Sequence, residues 1–548
     1  MGEGFHSSGQ RAAASDTLKR VGMKSSDPTA AADLLVAIGR WGAFENLHLK
    51  RLEVPVEFPP KLLAHVKAIQ QNPPPDLDEK TRKNLNRLTV YAIDDKYTKE
   101  VDDGISAEPM PNGRIRVWIH VADATRWVQL GTPLEEEARL RTSSAYLPTE
   151  VISMFPMELS QWKLSLLEQQ PSCAISVMAV LGPEGQIEEY WIGPSTVTVA
   201  KRLTEHQATQ LLIKSPDEHP GLGLLLEAGE RRARLREKNG AITISLPEVT
   251  VDVLFHKSMP GAAYAGGEKE SGGDDDTDDG DARAAAVAME AALQEEPHGE
   301  SKGARSANLA RAVGAASIKN LQLRSHDSRS PVRSLVAEMM ILSGELVAGY
   351  GTTNNLALPF RSQDAPMLPG PAVLNKIPDG VCRQIAIRSV MTRSKMATEP
   401  SRHASLALDS YVQFSSPIRR YTDLLAHYQV KAHLRGAPPP LTKEEMEARL
   451  KESIETTQTV NQVQRNSEKF WHIYYYSVQD AAVRFPATVV KWVKQDAGQA
   501  MVLLEDTRME HKLKLDKGTK LGAVLSLRVQ EADPHREVLS FAIDAAKK

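Results

Sequence analysis

The stretch from Val90 to Ser106, VYAIDDKYTKEVDDGIS, constrains this chain more than any other. It crowds Asp94, Asp95, Glu100, Asp102 and Asp103 into one short loop between two apolar runs. Clustered carboxylates repel one another and resist burial unless cations neutralise them. Hard oxygen ligands gathered in this way suit Mg²⁺ or Mn²⁺ rather than a soft metal. Val90 to Ile93 reads as a strand, and a second strand begins at Ile105. Pro111-Asn112-Gly113 supplies a hairpin turn before the apolar run Ile115 to Val121. The acids are therefore predicted to sit on a loop at a sheet edge. The alternative is a solvated surface turn. Strand residues rather than Gly and Ser bracket the acids, and this favours a site.

A second motif is the chemical complement of the first. In FSSPIRRYTDLLAHY, Ser416-Pro417 reads as an N-cap followed by proline at the first helical position. This places Arg419 and Arg420 in the first turn of a helix, where cations oppose the helix dipole. Guanidinium forks at that positive end point to an anion such as phosphate. The competing reading is that one or both arginines pair with Asp409 or Asp423. A carboxylate metal site and an arginine phosphate clamp are the two halves of metal-assisted phosphodiester hydrolysis. No Ser–His or Cys nucleophile motif competes with them. No Gly-rich nucleotide loop is present, which argues against a nucleotide cofactor.

The 548 residues allow two to four domains, and a net charge of −3 means that nucleic acid must be held by local patches. Cys173 and Cys382 are the two cysteines, which excludes a disulfide scaffold or a Cys-rich zinc site and fits a reducing, intracellular compartment. No apolar run is long enough to span a membrane. The N-terminus lacks a secretory apolar region and makes a poor transit peptide.

The chain reads as an α+β protein. Residues 1–85 form a short N-terminal module with a disordered start to residue 26, a helix capped by Asp27-Pro28 and stopped at Gly39, and a Pro-rich linker at 71–75. Residues 86–440 form the catalytic region, a mixed sheet surrounded by helices. It is strand-rich over 114–200 and helical over 204–239, and it has a strand at Ala241–Leu246. An acidic, low-complexity insertion at 257–305 reads as disordered, and the Gly and Glu spacing of a calcium loop is missing from it. A nearly all-apolar helix resumes near Val332 and carries Glu338, which is either paired structurally or part of a site. Residues 441–484 form a helical connection. Over 485–545, five short strands suit an OB-type barrel. Trp492 lies there among Lys491, Lys494, Arg508, Lys512, Lys514, Lys517 and Lys520, a pattern that suits RNA as well as a plain charged surface.

Several stretches, in order, resemble one family. They are Ala92-Ile93-Asp94 with Glu100-Val101-Asp102-Asp103, His120-Val121-Ala122-Asp123, Ser144-Ala145-Tyr146-Leu147-Pro148, Met154 to Ser160, Glu338-Met339-Met340, and Phe414 to Asp423. Together they resemble the RNB catalytic domain of the ribonuclease II/ribonuclease R family, over about residues 86–436 plus the C-terminal barrel, with the flavour of the plant and algal organellar branch. The resemblance implies a Mg²⁺-dependent, processive 3′→5′ exoribonuclease. Such an enzyme releases 5′-mononucleotides from single-stranded RNA and is expected to be a monomer in a chloroplast or mitochondrion.

Carried over residue by residue, Asp94, Glu100, Asp102 and Asp103 match the metal-site acids, with Asp102 the one most needed for cleavage. Arg419 matches the catalytic arginine, and Arg420 stands beside it. Tyr146 matches the aromatic that stacks on the terminal bases, and Glu338 a carboxylate that contacts the terminal ribose. Trp492 and Lys512 are expected to grip RNA. Asp95 is expected to be a bystander. Glu100 stands where bacterial members usually carry Asp. No aromatic occupies the Ala241–Val253 region where those members have a second tyrosine. The N-terminal module is too short for the usual two cold-shock-type domains, as it would be in an N-terminally incomplete chain. The rival expectation is a homologue that binds RNA but has lost its chemistry.

Overall fold

The computed structural model describes residues 8–24, 29–38, 40–255 and 318–544. The predicted insertion at 257–305, the Asp27-Pro28 cap and the Gly39 stop lie outside these residues.

The central sheet is built from β1 (Lys83–Asn84), β2 (Val90–Asp94), β3 (Asp103–Pro109), β4 (Ile115–Ala122), β7 (Pro171–Leu181) and the long β8 (Ile187–Thr204). A two-stranded hairpin, β5 (Ala145–Tyr146) and β6 (Val151–Ile152), stands apart from it. The sheet order is β1-β8-β2-β3-β4-β7, and β7 pairs again with β8, so the circuit closes. The strands β1 and β2 run parallel to β8, and the remaining pairs are antiparallel. Closure removes the unpaired edges that an open sheet of this length would expose.

Alternation along the strands divides the core. Tyr91, Ile105, Val117 and Ile119 face the helices Pro220–Lys238 and Pro331–Thr353. Val90, Ala92, Trp118 and Ala122 face the opposite way, onto Phe155, Ile418, Tyr421 and Leu424. The predicted turn at 111–113 closes β3 onto β4, with Asn112 at φ 61° and Gly113 at φ 67°, the left-handed values that these residue types accept. Gly104 answers a different demand. A Cβ there would lie 2.8 Å from Val90 Cγ1, so only glycine lets β3 lie this close to β2 directly after Asp103.

A 35-residue helix, Lys443–Ser477, opens on a capping box of Thr442 and Glu445 and leads to the C-terminal domain. Beyond a short antiparallel pair, β11 (Phe360–Ser362) with β12 (Lys395–Ala397), the strands β13 (Phe485–Lys494), β14 (Gln499–Leu504), β15 (Glu510–Lys514), β16 (Val524–Asp533) and β17 (Val538–Ile543) form a nearly closed antiparallel barrel of the OB type. Its strand order is β15-β14-β13-β16-β17, around a separate core of Phe485, Val502, Leu527 and Phe541.

Three expectations need correction. The start of the chain is not wholly irregular: Ser8–Arg20 is helical, as its Ala-rich sequence permits, and Leu18 packs with Met23 and Ala30. Ala241–Leu246 is not a strand. Pro247 cannot donate to a ladder, and the segment is tied by single bonds such as Ile242 N–H to Ser405 O at 2.9 Å. The strand there is β9 (Glu248–Phe255), paired antiparallel with β10 (Ile318–His326). Finally, the helix after Ser416-Pro417 begins at Tyr421, with Arg420 as an extended N-cap. Arg419 and Arg420 therefore precede the first turn. They are held out of it because Ser144 N–H donates to Arg419 O (3.1 Å) and Tyr421 N–H donates to Thr142 O (2.9 Å).

Candidate active site

The acids converge at the end of the sheet. Asp94 closes β2 and Asp103 opens β3, and the loop between them brings Glu100 and Asp102 inward. Val101 is pinned from both sides: its N–H donates to Ser165 Oγ (3.0 Å) and its carbonyl accepts from Leu166 N–H (3.0 Å). Asp102 is 4% exposed. Its Oδ1 accepts from Ile418 N–H at 2.9 Å, and its Oδ2 lies 3.2 Å from Arg419 Nε. This contact joins the two sequence motifs across more than three hundred residues of chain.

The electrostatics are those of carboxylates short of cations. Burial pushes the Asp102 carboxyl up to about 7, although Arg419 and the Ile418 amide oppose the shift. Burial, with Asp94 and Asp102 alongside, pushes Asp103 up to about 8. Burial raises Asp94 to about 6, against the pull of Arg202 and Arg419. Glu100 is likewise raised by burial, beside the Ser160 and Ser153 hydroxyls. Two buried oxygens, Asp94 Oδ2 and Glu100 Oε1, have no hydrogen-bond partner. Buried polar atoms are normally satisfied, so these orphans, all hard oxygens, fit a divalent cation. Among the described residues no three His, Cys, Asp or Glu side chains are placed to hold a metal ion together. An ion held here would therefore take most of its ligands from water or substrate.

Tyr146 stands over this cluster on β5. It is 43% exposed and lies in the electrostatic field of Arg419, Glu100, Asp102 and Asp94. The segment that carries it leaves a helix through Thr142 at φ 58°. For a β-branched residue that is strained backbone, of a kind that persists where surrounding contacts enforce it. Here those contacts are the Thr142–Tyr421 and Ser144–Arg419 bonds.

Arg420 turns away from the acids. Its Nη2 donates to Asp423 Oδ1 at 2.6 Å, and the same oxygen caps Ser416 N–H at 2.9 Å. The pairing anticipated for one of the arginines is therefore found at Arg420, while Arg419 faces the site with its side chain 40% exposed. Glu338 is not brought to the acid cluster; the buried Arg236 takes up both its oxygens. Trp492 and Lys512 lie on the C-terminal barrel, Trp492 partly packed into its core and Lys512 exposed on β15. Asp123, part of a motif quoted above, is structural: it is buried between Lys431 and Arg82, which hold its carboxyl far below the ordinary range.

Sequence reasoning missed the Ile418 amide, Arg202 and the serines around Glu100. A backbone donor leaves no trace in residue type. Ser160, however, lies inside a quoted motif, where a small polar residue among apolar ones is a usable signal.

Residues 82–436 match the model of the RNB domain. The chain belongs to the RNB domain family. Among curated relatives, an uncharacterized ribonuclease of Synechocystis is 35% identical over 509 residues, covering 93% of this chain and 67% of that protein. The chloroplastic/mitochondrial ribonuclease II of Arabidopsis thaliana is 30% identical over 541 residues, covering 98% of this chain and 60% of that protein. The chain thus spans about two thirds of these relatives' length or less. Among solved structures, Mycoplasma genitalium RNase R in complex with ribose-methylated single-stranded RNA superposes with a TM-score of 0.69 at 17% identity, over 94% of this chain and 78% of that one. This shows that the RNB fold is shared.

Proposed function

We propose that this RNB chain is a hydrolytic exoribonuclease that shortens single-stranded RNA from the 3′ end with Mg²⁺, Mn²⁺ being the alternative ion. The observation that carries the reading is the Asp102–Arg419–Ile418 junction, which sets a guanidinium beside a crowd of cation-short carboxylates.

In this reading Asp94, Glu100, Asp102 and Asp103 are the oxygen donors. Mg²⁺ characteristically takes few protein ligands and completes its shell with water and phosphate, which matches an incomplete cage. When bound, the ion supplies a more acidic water and charge neutralisation at the scissile phosphate. Asp102 orients Arg419 through Nε and leaves the outer guanidinium N–H groups free to meet a non-bridging phosphate oxygen as charge develops there. Tyr146 offers an exposed ring face to the terminal base, and stacking of that kind tolerates any sequence. Successive hydrolysis at this position releases 5′-mononucleotides. Trp492 and Lys512 on the barrel supply a more distant grip on the strand. The Arabidopsis relative's name supports an organellar setting for this chain.

The test uses 5′-labelled single-stranded RNA with and without Mg²⁺. Wild type should shorten the label progressively only with the ion, and Asp102→Asn should slow this at least about a hundredfold. A deoxy strand should bind but resist cleavage. Salt-dependent binding without Mg²⁺-dependent shortening by wild type would select the non-catalytic rival.

A further inference from the structure

The loop that carries the acids is weakly held by its own sheet. Strands β2 and β3 share the single register pair Tyr91↔Ile105, and Asp95 to Lys99 project beyond it. Inside this span the loop is braced by an Asx turn, Tyr97 N–H to Asp95 Oδ1 at 3.1 Å, and by Thr98 N–H to Asp95 O at 3.1 Å. The outward tether comes from a distant element. Arg324 on β10 donates through Nη1 to both Asp95 oxygens, at 2.8 and 2.6 Å. Its guanidinium also covers the Tyr97 ring, 5.4 Å from the centroid. Asp252, on the paired strand β9, holds Arg324 from behind with Oδ2 3.1 Å from Nε.

The same β9–β10 hairpin reaches the other side of the site. Val253 N–H on β9 donates to Pro148 O at 3.2 Å, two residues beyond Tyr146. The hairpin itself is seated: Val251 and Val253 pack with Trp471 of the long helix, and Phe44 of the N-terminal module joins that cluster. One two-stranded element therefore touches both the acid loop and the loop of the exposed aromatic, without contributing a residue to either cluster.

We propose that the β9–β10 hairpin is a brace that sets the spacing between the acids and Tyr146, and that Arg324 and Asp95 are positioning residues for cleavage. Asp95 is then no bystander. Its side chain points out of the site and fixes, through Arg324, where Asp94 and Glu100 point in. The ion pair is 32% and 39% exposed, and such pairs add little to global stability. Its effect should be local, and this separates positioning from a merely structural role.

The test compares the full chain with Asp95→Asn, Arg324→Gln and the double variant. The first readout is amide hydrogen exchange over Tyr97–Glu100 without added metal. Each single variant should speed exchange about tenfold or more at an unchanged unfolding midpoint, and the double should fall well short of the sum, because both remove the Asp95–Arg324 contact. Arg324→Lys, which keeps one charge-assisted contact, should recover part of the protection. The second readout, which alone rests on the ribonuclease reading, is turnover of 5′-labelled RNA. There kcat should fall about ten- to a hundredfold with KM within about twofold, as expected for misplaced catalytic groups. Unchanged exchange in Arg324→Gln overturns the brace. So do effects that sum in the double variant, or faster exchange with kcat intact. If wild type does not cleave RNA, the ribonuclease reading fails, and the exchange arm still decides the brace.

Discussion

The helix that presents Arg419 is anchored at its far end by a buried charge network, and Lys431→Met should expose how much depends on it. Lys431 Nζ lies 2.7 Å from each oxygen of Asp123, 2.9 Å from Asp78 Oδ2 and 2.9 Å from Thr125 Oγ1. Its side chain is 4% exposed, and those of Asp78 and Asp123 are 1% and 0% exposed. Removing one partner of a buried pair costs about 3–5 kcal/mol, chiefly by leaving a desolvated charge behind. Two carboxylates are orphaned here, but neither completely. Asp123 keeps Arg82 at 2.6 Å and Asp78 keeps Arg435 at 3.1 Å. The loss should therefore stay near about 3–5 kcal/mol rather than double.

The pH dependence has a definite sign. The Asp123 carboxyl is held far below its ordinary value, so its stabilisation is complete above about pH 4 and fades as pH falls further. The gap between wild type and Lys431→Met should shrink over the same fall. Urea unfolding followed by tryptophan fluorescence measures the gap at neutral pH. A loss under about 1 kcal/mol for Lys431→Met would refute the reasoning.

Other outcomes follow from the same geometry. Gly104→Ala should destabilise by about 1–3 kcal/mol in thermal unfolding, because the new Cβ meets Val90 Cγ1 at 2.8 Å. Tyr146→Ala should leave a longer terminal RNA product on a sequencing gel, as the proposed stacking of the end bases on this exposed residue requires. Without metal, the raised Asp94, Asp102 and Asp103 carboxyls mean that the folded state binds more protons than the unfolded one between about pH 4 and 8. Stability should therefore fall as pH rises through that window, and saturating Mg²⁺ should flatten the decline in a thermal-shift series and release protons on binding.

What the sequence makes legible here follows the range of the interaction. The β2–loop–β3 arrangement, the 111–113 turn and the C-terminal strands are set by alternation and turn chemistry within a few residues, and each can be read directly. The partnership of Asp102 with Arg419 spans more than three hundred residues. Chemical complementarity suggests it and the family motif supports it, but no local rule could place Arg419 Nε beside Asp102 while turning Arg420 toward Asp423. The helix start shows why. Ser416-Pro417 satisfies every local rule for a helix opening, yet the Arg419 carbonyl and the Tyr421 N–H are claimed by Ser144 and Thr142, and Asp423 caps Ser416 from within the delayed helix. The delay has a chemical consequence. In a first turn, both guanidiniums would compete for one anion at the helix end. With Arg420 extended and Arg419 in the turn before it, the two side chains take different partners: Arg420 pairs with Asp423, and Arg419 lies against Asp102. The residue that breaks the local rule is the one the site needs, and the strain at Thr142 is part of what holds it there.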